Sequence, residues 1–400
     1  MSEHPKSGAM NRFYRWVASL IAAGGLVACG GGGGGELAGV GTGGTGTVSS
    51  AVTVGSISGF GSVIVAGVRF DDTGASVADE DGNTRSRADL RLGMVTTISG
   101  TADFVARTGR ASQIVYGSEI VGPVSGIDLA RGTFTVLGAT VSVKPTTVFD
   151  ERLNGLTALR TGDLVEVYGA YNAATGAYTA TRIEPRSGVS RYRLRGPVSG
   201  LDGARRRFVL AGVVIDYQAV PTAQLSGLAE GQILRVSSSR GPVGGVWSVD
   251  SVSGARRVAL ADGEAKVEGS VSQLLSPTSF VVDGVTVDAA RARIKGSLVQ
   301  GARVEAEGTV RNGVLIADEV ETSDEDASSG EAFEITAVIE AFDPATQRFT
   351  LRGQAVDASA TVIFEGGSRS NLANGRKIEL KGWFDASRSV VVATRIHFED

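Results

Sequence analysis

A Leu-x-x-Gly motif recurs five times along this chain, at Leu90 to Gly93, Leu159 to Gly162, Leu228 to Gly231, Leu298 to Gly301 and Leu372 to Gly375. The intervals between the leucines are 69, 69, 70 and 74 residues, so one small unit is copied in tandem. Three and five residues past the glycine stand Val165 and Val167, Leu234 and Val236, Val304 and Ala306, Ile378 and Leu380, and more weakly Thr96 and Ile98. That period of two predicts a strand with these side chains facing inward. Seven residues past the glycine comes a second one, at Gly100, Gly169, Gly308 and Gly382, with Ser238 as the single departure. A glycine at that place suits a bulge or a hairpin entry.

Each unit opens on a matching strand: Gly55-Ser-Ile-Ser-Gly, Gly122-Pro-Val-Ser-Gly, Gly196-Pro-Val-Ser-Gly, Gly269-Ser-Val-Ser-Gln and Ala337-Val-Ile-Glu-Ala. A second strand follows around Phe134, Phe208, Phe280 and Phe349, then a glycine turn at Gly67, Gly138, Gly212, Gly284 or Gly353, then a third strand. The fourth strand follows Leu-x-x-Gly, and the fifth closes the unit. Asn312-Gly313 between the last two strands of the fourth unit is a two-residue hairpin signal. Five strands with a short irregular or helical piece between the third and fourth, such as Leu153 to Leu159 or Ala223 to Leu228, is the order of an OB-like barrel. The predicted fold is therefore all-β, five tandem five-stranded barrels. A unit of about 65 residues buries only ~60% of its extended-chain surface, so neighbours are expected to lean on each other.

This pattern resembles the bacterial repeat family known as domain of unknown function 5666, over nearly all of residues 52 to 399. Its best matches are Gly59-Phe-Gly-Ser-Val-Ile-Val-Ala-Gly-Val-Arg-Phe and Gly162-Asp-Leu-Val-Glu-Val-Tyr-Gly. The resemblance implies this fold and an envelope location behind a lipid-modified cysteine, and no assigned chemistry. The third unit departs from it at Ser238 and the fifth at Ala337.

Ahead of the repeats, Arg12 and Arg15 precede the apolar stretch Trp16 to Val27, the order of a secretory signal. Leu26, Val27, Ala28 and Cys29 spell a lipobox, and Cys29 is the only cysteine. Lipidation there would convert an exported chain into an anchored one. An ordinary signal cut elsewhere and a buried structural cysteine are the alternatives. The apolar stretch is short for a span, since a hydrocarbon core of roughly 30 Å needs about 20 residues. Met10 as the start would trim a polar extension. Gly30 follows the cysteine where an aspartate would favour inner-membrane retention, so the expected location is the bacterial cell envelope, at the outer membrane.

The expected organisation is a signal peptide over 1–28 and a lipidated glycine-rich tether over 29–50. Repeats follow over 51–117, 118–187, 191–253 and 264–321, then an acidic linker over 322–331 and a last repeat over 332–399. Removing residues 1–28 takes away Glu3, Lys6, Arg12 and Arg15, moving the formal charge from −4 to −6. No concentrated basic face remains for nucleic acid. Arg205-Arg206-Arg207 reads as a solvated turn, and Gly41-Thr-Gly-Gly-Thr-Gly lacks the strand and helix that a dinucleotide fingerprint needs.

Candidate chemistry is sparse. After processing, His397 is the only histidine, and no Gly-x-Ser-x-Gly elbow occurs, so no catalytic residue and no cofactor are expected. Asp79, Asp81 and Asn83 offer carboxylates and an amide around a turn glycine. They form a weak calcium candidate without the twelve-residue loop of an EF-hand; the plainer reading is an acidic hairpin turn. The four phenylalanines fit barrel core more simply than sugar-stacking platforms. The expected function is a non-enzymatic envelope lipoprotein whose barrels form an elongated modular rod for binding or surface organisation. Its partners would be the membrane, through the anchor, and an envelope saccharide or protein. A purely structural spacer and a hydrolase with carboxylates meeting between repeats are the alternatives.

Overall fold

The structure, a computed structural model, describes residues 49–254, 260–323 and 333–399. The signal, the lipobox and most of the tether lie outside them. The second repeat shows the plan. Its first strand, Ile120–Asp128, pairs antiparallel with Thr133–Val136, which pairs with Ala139–Phe149. That third strand runs parallel to the fifth, Ala177–Pro185, and the fourth, Leu164–Asn172, bridges the fifth back to the first. The strand order 1-2-3-5-4-1 closes a barrel and leaves few open edges. The short piece between the third and fourth strands is a single 3-10 turn, Leu156–Ala158.

The other repeats follow the same plan. The first uses Ser49–Phe60, Val63–Val65, Val68–Asp71, Val95–Asp103 and Thr108–Tyr116, and adds a small hairpin, Ser76–Asp79 with Thr84–Arg85, before its fourth strand. The fourth uses Gly263–Ser276, Ser279–Val282, Val285–Asp288, Arg303–Arg311 and Val314–Ser323. Strand ends overrun the expected boundaries at Ser49 into the tether and at Ser323 into the acidic linker, and by one residue at Gly254 and Gly263.

The two departures in the repeat pattern have structural consequences. In the third repeat the fourth strand, Ile233–Ser238, stops at the serine, whose Oγ accepts from the Arg240 amide, and the fifth strand is split into Val246–Ser248 and Ser251–Gly254. In the fifth repeat the first strand is broken into Phe333–Val338 and Glu340–Asp343. Where the second glycine is present the ladder shifts register beside it, at Gly100, Gly169, Gly308 and Gly382. A Cβ on Gly169 would lie 2.1 Å from the Thr179 carbonyl oxygen, which is why only glycine fits that bulge. Between the second and third strands, Leu137 and Gly138 both have positive φ, 55° and 86°, as a tight two-residue hairpin requires.

Every inward residue expected from the alternation is buried except that Thr96, also buried, is polar. Phe134, Phe208, Phe280 and Phe349 are buried in the barrel interiors, each contributing about 1.5–3 kcal/mol of burial. They are core, not platforms.

The repeats do not touch only their neighbours in the chain, as a rod of successive units would. Ala51 to Val54 of the first repeat pair in parallel with Glu264 to Val267 of the fourth, while Gly59 and Phe60 pair with Glu334 and Ile335 of the fifth. Ile120 and Val121 of the second repeat pair with Leu194 and Arg193 of the third. All three junctions use a repeat's first strand. That strand is long and bent, so part of it has a free edge beyond its own barrel, and pairing satisfies the exposed amides and carbonyls. Val52 and Val54 consequently pack in the core of the fourth repeat. Between the second and fifth repeats, the Ser389 hydroxyl donates to the Leu153 carbonyl and accepts from the Gly155 amide.

Candidate ligand cavity between repeats

The lipobox residues Leu26, Val27, Ala28 and Cys29 lie outside the described residues. Asp79, Asp81 and Asn83 form the tip of the small hairpin in the first repeat. One Asp79 oxygen accepts from the backbone amides of Asp81 and Asn83, at 3.0 and 2.9 Å, and the other from Asn83 Nδ2 and Arg85. These bonds hold the Asp79 carboxyl below its ordinary value although burial pushes it up. Asp81 turns outward, to Arg193 at 2.5 Å and Arg235 at 2.7 Å, and Glu80 meets Arg235 at 3.2 Å. Glu80 and Asp81 thus latch the first repeat to arginines of the third, while Asp79 holds the turn through Arg85 of its own hairpin. His397 is about half exposed, its Nδ1 3.8 Å from Glu365.

The alternation of apolar residues along the strands gave no sign of two groups of buried charges. Glu166, in the fourth strand of the second repeat, is buried beside Arg186 at 3.2 Å and Arg193 at 3.7 Å. Loss of hydration pushes its carboxyl up despite both arginines. Nearby, buried Arg182 donates to Glu184 at 2.5 Å and to Asp150 at 3.3 Å, and its other end reaches the Leu92 carbonyl of the first repeat at 3.2 Å. Of these residues Glu166 has apolar neighbours on both sides, Val165 and Val167, the ordinary pattern of an outward-facing strand residue.

The second group borders a cavity of about 480 Å³ where the second, third and fourth repeats meet, with Val54 and Thr97 of the first also in its wall. Arg195 stands at its wall, 5% exposed, with Glu119 at 2.8 Å and Asp283 of the fourth repeat at 3.8 Å. The Arg195 carbonyl accepts from the hydroxyl of buried Tyr178, whose ring lies 5.2 Å from that of Tyr171 at a 59° tilt. Tyr171 is half-buried and lines the cavity; burial raises its hydroxyl above its ordinary value. The remaining polar wall is uncharged and includes Gln232 from the segment after the third Leu-x-x-Gly motif, Ser272 and Gln273 from the first strand of the fourth repeat, and Thr97 and Thr286. Gln232 Oε1 is out of reach of bulk solvent and accepts no hydrogen bond among the described residues. A backbone bond from Ala173 to the Ser272 carbonyl, 3.2 Å, fixes the second repeat against the fourth beside this wall.

Three segments of the chain match one family, Domain of unknown function (DUF5666): residues 121–184, 268–321 and 336–397. The chain carries tandem DUF5666 repeats. The matched segments run from within the first strand to within the fifth of the second, fourth and fifth barrels, so a DUF5666 copy and a closed barrel are the same unit. The first and third barrels share the strand order and the Leu-x-x-Gly turn. No curated protein matches the chain. Among solved structures, "drosophila Unr CSD456" is similar at 14% identity over 52% of this chain and 98% of that one; its TM-score of 0.15 is too low to carry an argument.

Proposed function

We propose that this chain is a non-enzymatic lipoprotein of the bacterial cell envelope, anchored in the outer membrane through Cys29, whose docked DUF5666 repeats form a binding body. The observation that carries the binding half is the cavity shared by four repeats, which none of them forms alone. The anchored half rests on Leu26-Val27-Ala28-Cys29, the apolar stretch before it and the glycine run after it. The last supplies a flexible exit from the membrane.

One observation favours a second reading. Glu119 and Asp283 converge on the cavity from different repeats, as a hydrolase with carboxylates between repeats would require. Both face one guanidinium, which spends them on holding the repeats together instead of setting a proton donor opposite a base. Chromogenic glycosides released by the intact protein but not by Glu119→Gln or Asp283→Asn variants would establish that reading.

The anchor is tested by expressing the chain and its Cys29→Ser variant with radiolabelled palmitate and fractionating the membranes. Label and outer-membrane recovery in the parent, both lost in the variant, are expected. A variant that stays firmly membrane-bound contradicts the anchor.

A further inference from the structure

We propose that the cavity lined by the first four repeats binds a neutral, polyhydroxylated ligand of the saccharide class; this rests on the reading of the chain as a binding protein. Its volume, about 480 Å³, lies within the range of small-molecule sites. The wall chemistry selects the class. Arg195 is engaged by two carboxylates, so no guanidinium is left over for an anionic ligand, and a nucleotide or an acidic lipid headgroup has no counter-charge to meet. A fatty chain would cover Gln232 with hydrocarbon, leaving its amide without partners at a cost of about 1–3 kcal/mol, whereas the Ser272 hydroxyl already donates to the Val281 carbonyl at 3.0 Å. A sugar ring satisfies both kinds of wall. Its hydroxyls both donate and accept, matching amide and hydroxyl groups that do the same. Its C–H faces pack on aromatic surface, which Tyr171 supplies, and on Ile233 and Val281.

Gln232 is the most specific contact in this arrangement. Its Oε1 is a screened acceptor without a protein donor, and a ligand hydroxyl supplies one. The site is assembled across repeats: the aromatic ring comes from the second, the lone acceptor from the third, and Ser272 and Gln273 from the fourth.

The test uses the full-length chain in a detergent without a sugar headgroup. Saturation-transfer NMR and calorimetry are run with glucose, N-acetylglucosamine, maltose and cellobiose as probes, and with glucuronate and laurate as comparators. At least one neutral sugar is expected to bind, with Gln232→Met and Tyr171→Ala each weakening it by about tenfold or more. Tyr171→Phe, which keeps the ring, should stay within about threefold of the parent. Melting curves close to the parent's show that the substituted chains are folded. The proposal is overturned if no neutral probe binds at about 10 mM, if binding survives both substitutions, or if glucuronate or laurate binds better. An anchored protein that binds none of the sugars but cross-links to an envelope protein overturns the saccharide assignment and leaves the binding function standing. A chain neither anchored nor binding overturns both.

Discussion

The backbone N–H of Gly162 donates to the Val124 carbonyl at 2.8 Å, and the Val124 N–H donates back to the Asp163 carbonyl at 2.9 Å. The same reciprocal pair joins Gly93 and Ile57, Gly231 and Val198, Gly301 and Val271, and Gly375 and Ile339, always at 2.8 to 2.9 Å. The Leu-x-x-Gly motif therefore clamps the entry of the fourth strand onto the third residue of the opening pentapeptide. Its glycine has φ between 75° and 96° in all five copies, a left-handed conformation in which a Cβ is strained.

The two conserved glycine places of a repeat should differ in what they tolerate. Around Gly162 nothing lies within 4 Å of an added Cβ, so Gly162→Ala carries only the conformational cost, about 1 kcal/mol. Gly169→Ala drives a methyl into the Thr179 carbonyl and should cost about 2–3 kcal/mol. Denaturant unfolding of the two variants gives the ranking. Equal losses would contradict the bulge as the reason for the second glycine.

Charge pairs between repeats should outweigh those at the surface. Glu119→Ala takes from buried Arg195 its carboxylate partner at 2.8 Å, and a loss of about 3 kcal/mol is expected. Arg131→Ala removes an exposed partner of Asp128 at 2.7 Å and should cost under about 1 kcal/mol. Comparable losses in thermal unfolding would contradict a structural role for Glu119.

The response to pH has two limbs of opposite sign. A carboxyl raised by burial, as at Glu166, binds its proton more tightly in the folded chain, so its contribution is full below the unfolded value of ~4.3 and is lost as pH rises through the folded one. For Asp150 and Asp357, burial pushes up but hydrogen bonds from Arg152 and Ser359 hold the carboxyls below 3.8. Their contribution is present at neutral pH and lost as pH falls through the folded value. Relative to the parent, Glu166→Gln should gain stability as pH rises from about 4.5 to 7, and both chains should weaken below about pH 3.8. A variant whose difference from the parent is flat over the upper range would contradict the buried state of Glu166.

What was legible in the sequence is what repeats within one unit. The alternation at Val165 and Val167 located a strand, and Gly169 located its bulge. Ser238 marked the one copy where the fifth strand breaks, because a residue with a Cβ cannot take the bulge. The docking of repeats was not legible. Strand edges join through backbone groups that every residue carries, so nothing in Ala51 to Val54 announces Glu264 to Val267. Asp81 read as a turn acid, and its arginines stand 112 and 154 residues away in the chain. The cavity is hidden for the same reason, since Tyr171, Gln232 and Ser272 have no common motif.

Docking across non-adjacent repeats is the central claim, and residue-resolved amide exchange of the intact chain tests it most directly. From Ala51 to Val54 the strand has Thr97 to Gly100 on one side and Glu264 to Val267 on the other, so successive amides point alternately to the two partners. With both partners in place, slow exchange is predicted at every consecutive amide from 51 to 54. Slow exchange at alternate residues only, the signature of a strand with one bare edge, would contradict the docked arrangement.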